Sequence, residues 1–106
     1  MPSKYGNKKI SEDGYTFDSL AEHRRYKELC LLRKAGEIDQ LVIHPRWNLD
    51  INGCLICTYI ADFAYNDKTI GQAIVEDVKG VRTAVYKIKK KLMWAIYKIN
   101  IVEVKA

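Results

Sequence analysis

Two changes of hydrophobic period constrain this chain more than any single motif in it. From Phe17 to Ala35 the apolar positions follow helical spacing. Tyr26, Leu29, Cys30 and Leu32 gather on one broad side, and Arg24, Lys27, Glu28 and Lys34 fall mostly on the other. Asp18 or Ser19 can cap the start, and Gly36 stands where the chain leaves the helix in left-handed geometry. Beyond Gly36 the period becomes two. Leu41 and Ile43 alternate with Gln40, Val42 and His44 up to Pro45, which restricts His44 to extended geometry. The strand resumes through Trp47 and Leu49, Asn52-Gly53 marks a tight hairpin, and Cys54 to Tyr65 is the next strand. Asn66-Asp67-Lys68 makes a second turn, and Thr69 to Lys79 is a third strand closed by Gly80.

The helical period returns from Thr83, a suitable N-cap, to about Lys98. Val85, Ile88, Leu92, Ala95, Ile96 and Ile99 form an amphipathic stripe. Asn100 ends it, and Ile101 to Val104 reads as a short last strand. The order α-β-β-β-α-β predicts an α+β fold, with helices covering a mixed sheet whose first three strands form an antiparallel meander. At 106 residues the chain has room for one domain, placed at residues 15–106. Residues 1–14, with Lys4, Lys8, Lys9 and few apolar side chains, are expected to form a flexible basic arm.

Composition removes several classes. No apolar run approaches the ~18 residues of a membrane helix, and the start lacks the apolar stretch of a signal peptide. Three cysteines, an odd number without a secretory signal, suggest a reducing compartment, so a cytoplasmic protein is expected. Eighteen basic against 13 acidic residues give a net charge of +5, which favours a polyanionic partner. Cys54 and Cys57 are half a zinc site at most, and in a strand their side chains diverge. Of the two histidines, His44 is expected to be packed or capping rather than a substrate contact.

The third strand carries charges where a central strand should be apolar. Alternation puts Ala73, Val75, Asp77 and Lys79 on one face and Ile74, Glu76 and Val78 on the other. Asp62 ends the preceding strand, so the meander can bring it near Asp77. Two buried carboxylates repel unless a cation sits between them. Mg²⁺ takes one or two carboxylates and accepts phosphate oxygens as further ligands. Two carboxylates beside a lysine are therefore minimal equipment for phosphodiester hydrolysis.

Asp62 followed by Asp77-Val78-Lys79 resembles the D…(D/E)-x-K signature of the PD-(D/E)XK nuclease superfamily, and the element order is similar to that superfamily's restriction-endonuclease-like core. The wider pattern resembles a family of small tailed-phage proteins of this type. It comprises Lys-Tyr-Gly-Asn-Lys (Lys4 to Lys8), Phe-Asp-Ser-x-x-Glu (Phe17 to Glu22), Ala61-Asp-Phe-x-Tyr65, Val75-Glu-Asp-Val-Lys-Gly80 and Tyr-Lys-x-Lys-x-Lys (Tyr86 to Lys91). Ala61 stands where the superfamily has proline. The resemblance implies Asp62 and Asp77 as metal ligands, Lys79 as the catalytic lysine, and Glu22 as a further acid reaching the metal from the first helix. Glu22 also fits a capping box with Ser19.

These expectations add up to a Mg²⁺-dependent DNA endonuclease, with Mn²⁺ open. The resemblance points to branched DNA or a Holliday junction as substrate and to a phage as the source. Arg82, Lys87, Lys89, Lys90 and Lys91, with the arm lysines Lys4, Lys8 and Lys9, are the expected DNA contacts. Tyr86, Met93, Trp94 and Tyr97 lie off the apolar stripe and suggest a homodimer interface presenting two metal sites. Two rivals are a DNA-binding module that does not cut and a protein-interaction subunit of a phage replication or packaging complex.

Overall fold

The computed structural model describes residues 9–106. Ile10–Glu12 (β1) and Tyr15–Phe17 (β2) pair across Asp13-Gly14, whose φ values are 54° and 81°. That mirror-image turn suits a two-residue hairpin. Residues 10–14 thus belong to the fold and not to a flexible arm. The Tyr26 hydroxyl donates to Asp13 at 2.6 Å, and His23 Nε2 lies 2.5 Å from Glu12 Oε1, which ties the hairpin to the helix that follows. Lys9 is exposed, and Lys4 and Lys8 lie outside the described residues.

Leu20–Lys34 (α1) starts later than its periodicity suggested, because Ser19 is extended and its hydroxyl accepts the Glu22 N–H as N-cap. Gly36 leaves the helix at φ 79°. The chain continues through Ile38–Ile43 (β3), Arg46–Ile51 (β4), Cys54–Ile60 (β5), Phe63–Asp67 (β6), Gln72–Lys79 (β7), Ala84–Tyr97 (α2) and Val102–Lys105 (β8). The fold is α+β. Four strands form one sheet in the order β3-β6-β7-β8, antiparallel except for the final parallel pair. β4 and β5 form a separate hairpin around Asn52 and Gly53, both at positive φ, inserted between β3 and β6.

The expected strand from Cys54 to Tyr65 is broken at Ala61-Asp62. There the Ala61 N–H bonds the Pro45 carbonyl and the His44 N–H bonds the Asp62 carbonyl, each at 3.0 Å. These bonds close two facing corners where the inserted hairpin leaves and rejoins the sheet. His44 is not extended, as its proline neighbour suggested, but sits at φ 55° in that corner. Asn66 and Asp67 are strand residues, so the second turn begins at Lys68.

Successive side chains of β7 feed two cores. Val75 packs with Leu49, Tyr59, Ala61, Tyr86, Met93 and Ile101 under α2. Ile74 and Val78 pack against Phe17, Tyr26, Leu29, Ile38, Phe63 and Tyr65 under α1. The α2 stripe is rotated from the expected one: Val85 and Ile88 are exposed, while Tyr86 and Met93 are buried and Leu92, Ile96 and Ile99 are half-buried. The aromatic flank expected at a dimer interface is therefore not one surface, since two of its four members fill the core. With apolar residues on most sides of this short helix, spacing alone does not decide which side meets the sheet, and Tyr86 and Met93 fill that place while Trp94 stays exposed. Lys98, left-handed at φ 58°, ends the helix before Asn100. Among the described residues no helix is long and apolar enough to cross a membrane.

This rotation has a measurable consequence. Met93→Ala should cost about 2–5 kcal/mol in chemical denaturation, and Val85→Ala within about 0.5 kcal/mol, the reverse of what the stripe alone implies.

Candidate metal centre

Three elements carry acidic or imidazole groups to one edge of the sheet. Glu22 comes from the first turn of α1, His44 from the β3–β4 corner and Asp62 from the β5–β6 corner. One ligand atom from each lies within 4.8 Å of the other two. Glu22 is 4% exposed, and its Oε1 is 2.8 Å from His44 Nε2. Its Oε2 accepts the Asp18 N–H at 3.1 Å. One Glu22 oxygen thus accepts a main-chain N–H just before the helix, and the other faces His44.

Asp62 joins this cluster to the charged end of β7. Its Oδ2 accepts the Val78 N–H at 2.7 Å, and its own N–H donates to Asp77 Oδ1 at 3.1 Å. Asp77 is almost fully buried, and its Oδ2 accepts from the Tyr59 hydroxyl and lies 3.7 Å from Lys79 Nζ. Each Asp77 oxygen keeps a second lone pair. The Lys79 ammonium also sits 4.1 Å from the centroid of the Tyr86 ring. A cleft of about 310 Å³ between β5 and the start of α2 opens onto Lys79 and Lys89.

The structure therefore groups Glu22 and Asp62 with His44, and sets Asp77 and Lys79 beside them through the Asp62 main chain. Asp77 does not belong to the tightest triple. Burial, and then the neighbouring Asp77 and Glu22 carboxylates, push the Asp62 carboxyl up to about 8, although the Val78 N–H opposes the shift. Burial and the bond to Asp77 push the Tyr59 hydroxyl well up, so it stays a donor at neutral pH.

Glu76, set aside because alternation turned it from Lys79, does lie on the α1 face. Arg25 holds it with both ends of its guanidinium, at 2.6 and 3.0 Å, and the Tyr65 hydroxyl adds a third bond at 2.7 Å. This clamp ties α1 to β7 one turn from Glu22. Of the expected DNA contacts, Arg82, Lys87 and Lys91 are exposed, and Lys89 and Lys90 are half-buried.

Sequence reasoning missed His44 as a possible ligand, and missed Tyr59 and Arg25 as partners of buried carboxylates. A signal for His44 existed: it ends a strand that pairs with the strand following Asp62, so both corners had to fall at one sheet edge. Tyr59 and Arg25 carried no comparable signal, because each depends on which face its element presents.

The chain belongs to a family described as a protein of unknown function, DUF1064, whose match spans residues 2–105. No curated protein matches it, and no solved structure does.

Proposed function

We propose that this protein is a divalent-cation-dependent DNA endonuclease of the PD-(D/E)XK type, cutting branched DNA. The observation that carries this is the meeting of Glu22, His44 and Asp62, with ligand atoms within 4.8 Å, beside Asp77 and Lys79. The donor set fits a hard or intermediate divalent ion. Burial first, and then the neighbouring Asp77 and Glu22 carboxylates, disfavour a charged Asp62, a cost that a bound cation would relieve.

Glu22, Asp62 and His44 would hold the ion, with Asp77 at its edge. An imidazole among carboxylates favours Mn²⁺ over Mg²⁺, which prefers oxygen. The cation supplies charge neutralisation at the phosphate and eases ionisation of water. The chain's own groups do the rest. Lys79 reaches the cleft and offsets negative charge growing on the phosphate, or orients the attacking water. Tyr59 holds the Asp77 carboxylate in place, while Arg82, just before α2, and Lys87, Lys89, Lys90 and Lys91, in its first half, meet the DNA backbone. A phage source remains part of this proposal through the sequence resemblance alone; the expected homodimer rested on the aromatic flank of α2, of which only Trp94 and Tyr97 stay exposed.

The test is incubation of purified protein with four-way, flap and linear duplex DNA in Mg²⁺, Mn²⁺ or chelator. Branched substrates should be nicked only with metal, Mn²⁺ acting at lower concentration. Lys79→Ala should lower the rate about 100-fold or more without weakening DNA binding, and Asp77→Asn should be inactive. Binding without cutting would support a non-cleaving module. Absence of both would favour a protein-interaction subunit.

A further inference from the structure

A second concave surface lies on the other side of Tyr86 from Lys79. It is a groove of about 400 Å³ between α2 and β8, lined in part by Arg82, Lys87, Lys90, Lys91, Trp94 and Glu103. We propose that this groove binds an unpaired nucleotide strand, one base stacking on Trp94 while Arg82, Lys87 and Lys91 hold the flanking phosphates. The inference rests on the endonuclease reading for its purpose and extends it, giving the branched substrate a place for its single-stranded portion.

Charge complementarity favours this occupant. Four cations face one carboxylate, Glu103, which already accepts from the Tyr86 hydroxyl at 2.8 Å and Lys90 at 3.0 Å and lies 3.4 Å from Arg82. These partners hold Glu103 below the usual carboxylate range, so it stays charged and committed to them. Lys87 and Lys91 are exposed and form no ion pair among the described residues, so positive charge is left over. Trp94 remains 55% exposed in the middle of this charge, and Lys98 Nζ lies 5.5 Å from its ring centroid. An aromatic platform among backbone-binding cations is the arrangement that binds single strands without reading sequence. A protein interface would be depleted in lysine at this position. A fully paired duplex offers no free base face for Trp94 to meet.

The groove also lies within reach of the candidate catalytic strand. Glu103 is the register partner of Asp77 across the parallel β7–β8 pair. Tyr86 bonds Glu103 through its hydroxyl and carries the Lys79 ammonium over its ring. The groove that holds Trp94 is therefore bordered by the same ring that carries Lys79.

The test measures binding in chelator, where cleavage is off, so failure of the hydrolytic reading cannot disguise the result. A short oligothymidylate and a duplex of equal length are titrated against the wild type, Trp94→Leu, Trp94→Phe and Lys91→Glu. Trp94→Leu should weaken oligothymidylate binding about 10-fold, leave duplex binding within about two-fold, and abolish the fluorescence quenching produced by the single strand. Trp94→Phe should keep most of the affinity, and Lys91→Glu should weaken both ligands and flatten the salt dependence. Unchanged or equal affinity loss for both ligands in Trp94→Leu overturns the proposal. So does a variant that changes the oligomeric state while binding oligothymidylate normally, which would assign this face to a second copy of the chain.

Discussion

Asp62→Asn should abolish the proposed divalent-cation uptake and raise the melting temperature of the metal-free protein. Both effects have one cause. The Asp62 carboxyl, pushed up to about 8 by burial and by Asp77 and Glu22, has a folded value above its unfolded value near 4. Between about pH 4 and pH 8 the folded chain therefore holds a proton that the unfolded chain has released, and stability falls as pH rises through that window. An asparagine carries no titrating group, and its carbonyl can still accept the Val78 N–H that Asp62 accepts at 2.7 Å. The variant should be more stable at pH 7 by on the order of 2 kcal/mol, several degrees in Tm, and should lose the pH dependence of that window. In the wild type, cation binding must displace the same proton, so affinity should rise with pH and level off above about 8. Calorimetry of the metal-free proteins across pH 5–9, with parallel Mn²⁺ titrations, measures both effects.

Arg25→Met should destabilise the protein by about 3–5 kcal/mol, the largest stability loss expected of any single polar substitution here. Glu76 is 1% exposed, and Arg25 answers its charge with two hydrogen bonds. Without the guanidinium, only the Tyr65 hydroxyl remains for a buried carboxylate. The bond to Glu76 raises the Arg25 guanidinium further above its ordinary range, so the cation is present at every accessible pH. Arg25→Met combined with Glu76→Leu should recover most of the loss, since no unpaired charge is then buried. Urea denaturation of the two single variants and the double variant measures the coupling, which should exceed 1 kcal/mol. Because the clamp ties α1 to β7, Arg25→Met should also weaken metal uptake through Glu22, an effect that a purely local packing loss would not produce.

The α+β class was legible because helical and strand periods alternate without ambiguity from Phe17 onward, and the caps Ser19 and Thr83 stand where the structure uses them. The inserted β4–β5 hairpin was legible only in part. Asn52-Gly53 announced the turn, but nothing local distinguishes a hairpin that leaves the sheet from one that extends it. That choice is made by the facing bonds at Pro45–Ala61 and His44–Asp62, which are contacts distant in sequence. The same corner explains the error at His44: its proline neighbour argues for extended backbone, and tertiary contacts hold it left-handed.

Within the site, charge out of place was the informative signal. Asp77 and Lys79 interrupt an apolar strand, and the structure finds Asp77 buried and bonded to the Asp62 main chain. Rotation about α2 was not legible, because Val85 and Ile88 match Tyr86 and Met93 in apolar character while differing in which side meets the sheet. Residues 10–14 read as a tail because they have little apolar content, yet two polar contacts to α1 fix them.

Pulsed electron paramagnetic resonance of the Mn²⁺-loaded protein tests the central claim most directly, because it identifies the atoms that hold the cation. One Mn²⁺ per chain should show nitrogen coupling from a directly bound imidazole, lost in His44→Ala, with the ion itself lost in Asp62→Asn. Wild-type protein that takes up no Mn²⁺, or a bound ion whose spectrum is the same in both variants, would contradict the assignment of Glu22, His44 and Asp62 as a metal centre.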